Sequence, residues 1–271
     1  MIETGESRTC TATGLRLLPA LGEISYRVAK DRYGALAVRT NEIVGPRAVG
    51  TASTQEDARG RYDSLGSTVY LADSRRCAYS EVLTSFRQSK AAITKVAASI
   101  GWDPREYLAS VIKQANTNGI DAPWAISLDW QMDRSLYEIR LPRKGWWVQI
   151  DHPDSFKALE HLNVSTTDGA EKLQLLTNGS ITGEDRDLTT LIAHAVRTQT
   201  LDDGSEPLGI NYSSKTLQGR CWAYWDRRTD LLLPPGRNDL IQLTSENVGP
   251  DPEFISTAEY YSLPILNGRK L

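Results

Sequence analysis

Three side chains of complementary chemistry lie within one stretch of this chain, residues 60–86: Arg61, Tyr70 and Glu81. An arginine presents a planar fork of donors to phosphate or carboxylate. A tyrosine adds a ring face and a hydroxyl, and a fixed carboxylate stabilises positive charge that develops during a reaction. Together these are the parts needed to hold an anionic ligand beside a carboxylate. Glu81 is the single acid between residues 75 and 86, so the negative charge of that segment has one source.

The elements that must position them can be read from the same stretch. Gly60-Arg61-Tyr62 leads into a turn signal, Ser64-Leu65-Gly66-Ser67. Residues 67–72 then read as a strand in which Val69 and Leu71 face one side and Tyr70 the other. Asp73 or Ser74 caps a helix from Arg75 to about Arg87, whose apolar stripe is Ala78, Val82, Leu83 and Phe86. At about 100° per residue, Glu81 falls roughly 60° from Ala78, at the margin of that stripe. A margin position can face a cleft; a solvated helix-surface glutamate is the plain alternative.

Earlier in the chain, Ile24-Ser25-Tyr26-Arg27-Val28 reads as a strand with Arg27 among its apolar residues, where an edge arginine reaching solvent is the plain alternative. Residues 1–20 are expected to form an N-terminal arm, with packing of Leu15 to Leu21 onto the fold as the alternative, and residues 40–60 a long loop in which Arg47 and Arg59 are solvated charges. Residues 91–98 read equally as strand or helix. Pro104 opens a helix capped by Asp103. Four of the seven tryptophans fall between residues 124 and 147 and read as core or as a partner-facing surface. Residues 137–141 and 146–150 read as the two strands of a hairpin. A short strand is expected at 173–176, a helix at 185–199, strands at 209–214 and 221–225, and a surface-wrapping tail from Pro234. Strands scattered among helices without regular alternation predict an α+β fold with a mixed, mainly antiparallel core.

Composition narrows the chemistry. The chain has 271 residues, a formal charge of −3 and a pI near 5.7, which argues against nucleic-acid binding by bulk electrostatics. No run approaches the ~20 apolar residues of a membrane span. Cys10, Cys77 and Cys221 are widely spaced and fit a reducing cytoplasm, and no targeting segment is visible, so a cytoplasmic protein is expected. His152, His161 and His194 make no metal-binding spacing, and no metal is expected. There is no Gly-rich phosphate loop and no Gly-x-Ser-x-Gly elbow. Nothing points to a Ser-His-Asp triad, which stays open, and no second acid accompanies Glu81 for paired-carboxylate hydrolysis.

The residues that remain carry a resemblance. Gly60-Arg61-Tyr62, Tyr70-Leu71-Ala72 and Glu81-Val82 resemble, in order, the Gly-Arg-Trp, Tyr-Leu-Ala and Glu-Val signature of the RES domain family. Tyr26-Arg27-Val28 resembles that family's first strand, and Gly209-Ile210-Asn211-Tyr212-Ser213-Ser214 resembles its Ile-x-Tyr-Pro-Ser segment, which puts the family serine at Ser214. Residues 182–189 resemble a helix that precedes this serine in longer members. The chain departs at Tyr62 for the usual Trp, Asp63 for Asn and Ser213 for Pro, and residues 87–150 look like an enlargement.

The resemblance implies an ADP-ribosyltransferase-like fold: a mixed, mainly antiparallel β core with flanking helices, formed by a single domain over residues 21–271. It implies a toxin that destroys NAD⁺ as substrate and is held in check by an Xre-type helix-turn-helix antitoxin, with a homodimer left open and no direct contact with nucleic acid or membrane. Arg27, Arg61, Tyr62, Tyr70, Glu81 and Ser214 would line the NAD⁺ pocket. Glu81 would face the ribosyl cation, Arg27 and Arg61 the pyrophosphate, and Tyr62 and Tyr70 the nicotinamide. Ser214 would position the ribose or amide. Water as acceptor makes a glycohydrolase and phosphate a phosphorylase. Transfer of ADP-ribose to a macromolecule and a catalytically silent binding module are the alternatives.

Overall fold

The structure, a computed structural model, describes residues 6–45, 59–166, 169–172 and 176–267. In chain order the first elements are β1 (Arg8–Thr9), β2 (Arg16–Pro19), β3 (Ile24–Lys30), β4 (Thr40–Asn41) and β5 (Gly66–Ala72). Helices α1 (Arg75–Val82), α2 (Thr84–Ser99), α3 (Pro104–Thr117) and α4 (Leu128–Met132) follow. Then come β6 (Arg134–Arg140), β7 (Trp146–Gln149), α5 (Pro153–His161), β8 (Asn163–Thr166), β9 (Gly169–Lys172), α6 (Asn178–Thr182) and α7 (Arg186–Arg197). The chain ends with β10 (Gly209–Ser213), β11 (Arg220–Trp225), α8 (Arg227–Asp230), β12 (Ile241–Asn247) and α9 (Pro252–Tyr260). The expected α+β class, with a mixed and mainly antiparallel sheet, is what forms.

The chain divides into two compact units, each assembled from separated segments. The first comprises Met1–Ser25, Leu36–Asp73 and Ile139–Leu243, and the second Tyr26–Ala35, Ser74–Glu138 and Thr244–Leu271.

In the first unit the strands run in the order β1-β2-β7-β10-β11-β5, with β4 on β5. All of these pairs are antiparallel except β7–β10, which is parallel. A parallel pair needs a long crossover, and α5, α6 and α7 lie in the segment that makes it. The apolar stripe of α7 buries Ile192, Ala193, Ala195 and Val196, a helical period that was plain in the sequence. Both faces of the central strands are covered: all of β11 beyond Arg220 is buried, as is β10 from Gly209 to Tyr212.

Several expectations are corrected here. Residues 8–19, expected in an arm, carry β1 and β2; Leu17, in β2 opposite Val148 of β7, is fully buried, and so is Leu15 just before the strand, as the packed alternative for this segment has it. The hairpin expected from residues 137–141 and 146–150 does not form, since both edges of β7 are taken by β2 and β10. The tail beyond Pro234 forms β12 and α9. Its Asp251-Pro252 pair is a helix start, with the Asp251 carboxylate accepting from the Glu253 N–H. Asp185 caps α7, its carboxylate accepting the Leu188 N–H. The ambiguous run 91–98 is helical within α2. Residues 46–58 of the expected loop, Arg47 among them, and residues 173–175 of the strand expected at 173–176 lie outside the described residues.

The second unit holds most of β3, β6 and β12, in the order β3-β6-β12, together with α1 to α4 and α9. An aromatic cluster anchors its helices: Tyr79 to Phe254 at 5.5 Å, Phe254 to Trp130 at 5.9 Å and Trp130 to Phe86 at 5.6 Å. The Tyr79 hydroxyl donates to Asp251 at 2.6 Å, which ties α1 to the start of α9. Of the four tryptophans between residues 124 and 147, Trp124, Trp146 and Trp147 are buried and Trp130 is half-buried, so this segment serves the core. No helix among the described residues is long and apolar enough to cross a membrane.

Candidate functional site

Arg61, Tyr62, Tyr70 and Ser214 belong to the first unit, and Arg27 and Glu81 to the second. Each group is described within its own unit.

In the first unit the signature triplet closes onto β5. Tyr70 points away from the side of Val69 and Leu71, as its strand position requires, and is half-buried with its hydroxyl enclosed. That hydroxyl donates to Asp63 Oδ1 at 2.8 Å and accepts the Tyr62 N–H at 2.9 Å. Asp63 Oδ2 accepts the Gly60 N–H at 2.8 Å, closing a short turn. Burial raises the Asp63 pKa, and the bonds from Gly60 and Tyr70 work against the rise. Burial, reinforced by Asp63, raises Tyr70 well above its ordinary value. Glycine is required at position 60 because a Cβ there would fall 2.3 Å from the Tyr70 hydroxyl oxygen. The spacing from Gly60 to Tyr70 is thus a packing constraint.

Arg61 is 7% exposed. Its guanidinium lies 5.9 Å from the ring centres of both Tyr62 and Tyr212, which are themselves 4.6 Å apart edge to face. Among the described residues it makes no ion pair, and its Nε has no hydrogen-bond partner. Tyr62 is fully buried and its hydroxyl donates to the Ile181 carbonyl at 3.1 Å. Burial raises its pKa and the Arg61 charge draws it back. Arg59, expected as a solvated charge, is instead buried. It donates to the Gly45 carbonyl at 3.0 Å and pairs with Asp187 at 2.7 Å, because α7 brings a carboxylate to it from far along the chain.

Ser214 is 1% exposed, at the end of β10. Its Oγ lies 2.7 Å from Thr216 Oγ1 and accepts the Thr216 N–H at 3.1 Å, which starts the turn into β11. The strand end beside it is held by charge. Asp151 Oδ2 accepts both the N–H (2.9 Å) and the hydroxyl (2.6 Å) of Ser213, and Asp151 Oδ1 accepts from Arg220 at 2.8 Å. Burial pushes the Asp151 pKa up, but the bonds from Arg220 and Ser213 outweigh it and hold it below the usual carboxylate value. A carboxylate thus fixes the backbone just ahead of Ser214. Gly219 closes the turn at φ +147°, where a Cβ would meet the Asp73 carboxylate at 2.3 Å.

His194, on α7, is a half-buried neighbour of the triplet, its Nδ1 3.1 Å from Ser64 Oγ. Burial, then the Arg197 charge, lowers its pKa. A depressed histidine is neutral when folded and binds its proton more readily when unfolded. Its stabilising contribution is therefore full above the unfolded-state value of about 6.5 and lost as pH falls below it. Urea unfolding at pH 7.5 and 5.5 is expected to show a smaller loss on acidification for His194→Gln than for the wild type. Equal losses would discount this group.

In the second unit, Arg27 lies on β3, half-buried, and its Nη1 donates to the Ala35 carbonyl at 3.0 Å. Burial pulls its pKa down to about 10, against the pull of nearby Tyr137. Glu81 is half-buried in the last turn of α1, which Ser74 caps by accepting the Cys77 N–H at 3.2 Å. That last turn has no basic side chain.

The structure thus brings Arg61, Tyr62 and Tyr70 into one cluster. It adds Asp63 and Tyr212, which the reading of the sequence did not single out as site residues. Asp63 was signalled by its place in a Gly-Arg-Tyr-Asp turn, and Tyr212 by its aromatic ring two residues before Ser214. Among the described residues no three His, Cys, Asp or Glu side chains group as a metal site requires. No family model matches the chain, and no curated protein and no solved structure matches it.

Proposed function

We propose that this protein cleaves the bond between nicotinamide and ribose in NAD⁺, as the toxin of a toxin–antitoxin pair whose other member is an Xre-type repressor. The observation that carries the reading is Arg61, a buried guanidinium flanked by two tyrosine rings with no carboxylate paired to it among the described residues. A buried cation of this kind is costly without a counter-charge, and a pyrophosphate supplies one in the geometry a guanidinium prefers. The motif resemblance gives the rest: Glu81 as the carboxylate that stabilises the ribosyl cation, Arg27 as a second phosphate contact, and Tyr62, Tyr70 and Ser214 as the residues that shape the nicotinamide end.

In that chemistry nicotinamide departs as a neutral pyridine and needs no acid. The ribosyl cation is captured at C1 by water, which loses a proton and leaves ADP-ribose. Phosphate as acceptor would leave a phosphorylated sugar instead; water is the favoured acceptor. A second reading, a catalytically silent binding module, is favoured by one observation: the hydroxyls of Tyr62, Tyr70 and Ser214 already have partners within the protein.

Incubation of the purified chain with NAD⁺, with and without phosphate, separates the readings. Release of free nicotinamide is expected in both conditions, and no turnover in either would leave the silent module. Arg61→Ala is expected to raise KM for NAD⁺ about 10–100-fold, since a charge-assisted hydrogen bond contributes about 1.5–3 kcal/mol. An unchanged KM removes Arg61 from the substrate.

A further inference from the structure

The loop after α8 keeps its apolar side chains in solvent. Residues 231–235, Leu-Leu-Leu-Pro-Pro, are all exposed, Leu231 by 67%, Leu232 by 93% and Leu233 by 45%. Single exposed leucines are common on soluble proteins; a contiguous run marks a surface that something covers. The backbone is fixed rather than loose. The N–H groups of Leu232 and Leu233 donate to the carbonyls of Thr229 (3.0 Å) and Arg228 (2.8 Å), and Arg228 Nε donates to the Pro234 carbonyl at 2.8 Å. Leu232 sits at φ 55°, in the left-handed region that disfavours a side chain with a Cβ. A leucine held in an unfavourable conformation and left in water gains nothing for the fold.

The charges around the loop are committed to the protein, with one exception. Asp230 pairs with Arg197 and accepts the Ser67 N–H, Arg227 pairs with Glu206, and Arg228 pairs with Asp239. Asp226 caps α8. Arg237 is exposed and makes no ion pair among the described residues.

We propose that residues 231–235 are a docking loop whose leucines seat in an apolar groove of a partner protein, with a carboxylate on the groove's rim facing Arg237. Two other occupants fit less well. Each side chain offers on the order of 100 Å², so the loop covers roughly 500 Å² at most, short of the ~800 Å² a side that a lasting interface such as a stable dimer needs and in the size range of a transient contact. In a groove, by contrast, a few fully desolvated anchors carry most of the binding. Anionic lipid is held by clusters of about four to eight basic residues, and this loop has one uncommitted arginine in a chain of formal charge −3. The inference is independent of the NAD⁺ reading.

The test is a photo-crosslinking benzoylphenylalanine at position 232 of the full chain, in the cells that naturally produce it. The control is the same group at Leu217, which is also exposed (83%) with positive φ. Position 232 is expected to give one discrete adduct that position 217 does not. Mass spectrometry should map it to an apolar segment carrying Asp or Glu. Arg237→Glu should reduce it about tenfold, and reversing the mapped acid to Lys should restore it. No adduct, an adduct with a second copy, a mapped segment without an acid, or cosedimentation of the chain with phosphatidylserine vesicles overturns the proposal. Leu232→Gly, which relaxes the backbone, is expected to raise Tm by about 2–4 °C. An unchanged or lower Tm would show that the fold itself uses Leu232.

Discussion

Glu81→Gln is expected to lower kcat for nicotinamide release by about 10²–10³-fold, with little change in KM and no loss of thermal stability. The substitution keeps shape and hydrogen-bonding reach while removing the charge. Charge is what a carboxylate contributes to a cationic transition state, and deleting one preorganised electrostatic contact typically costs a factor of that order. The stability half of the expectation comes from shape. Glu81 stands in the last turn of α1, and glutamine is a near-equal helix former of the same size, so the helix keeps that turn. Turnover and a melting curve on the same preparation give the answer. Full activity in the variant would falsify the catalytic assignment, and a lower Tm together with lost activity would mean that Glu81 holds structure.

How far the sequence could be read depended on the range of the interactions. Local features came through: the Ser74 cap, Asp103 followed by Pro104, the apolar period of α7, and the alternation of Val69, Tyr70 and Leu71. Each is set by residues within a few positions, where capping and periodicity act. Pairing between distant segments did not. Trp146–Gln149 looked like half of a hairpin because a turn signal precedes it, yet its neighbours are β2, which lies far before it, and β10, which lies well after. Arg59 looked solvated because its carboxylate, Asp187, stands 128 residues away. The site shows the same division. The types of Arg61, Tyr62 and Tyr70 and their order were visible, but the destination of each hydroxyl was not. Tyr62 donates to a carbonyl of α6, and Tyr70 to a carboxylate that sequence alone would leave in a solvated turn.

Tyr70→Phe puts that buried network to a direct test. The phenol oxygen serves two partners at once, donating to Asp63 Oδ1 and accepting the Tyr62 N–H, at 2.8 and 2.9 Å. Phenylalanine fills the same space and takes the bond from Asp63 Oδ1 and from the Tyr62 N–H, with Asp63 only 6% exposed and keeping the Gly60 N–H on Oδ2, and Tyr62 fully buried. An orphaned buried polar group costs roughly 1–3 kcal/mol, so the variant is expected to lose about 2–5 kcal/mol at neutral pH. Acidity should reduce the deficit. Burial already raises the Asp63 pKa, and the Tyr70 bond is one of the interactions that restrain the rise, so its loss raises the pKa further. A carboxyl with a raised folded-state pKa stabilises the fold below its unfolded value and loses that contribution as pH climbs through the folded one. The gap between wild type and variant in urea unfolding should therefore narrow from pH 7 towards pH 5. A gap under about 1 kcal/mol at neutral pH, or one that widens with acid, would mean that water or a shifted backbone satisfies these groups. The same variant separates two roles for Tyr70. Phenylalanine keeps the ring face a nicotinamide would stack on, so NAD⁺ turnover that survives while stability falls makes the hydroxyl a structural group and the ring the part left to substrate.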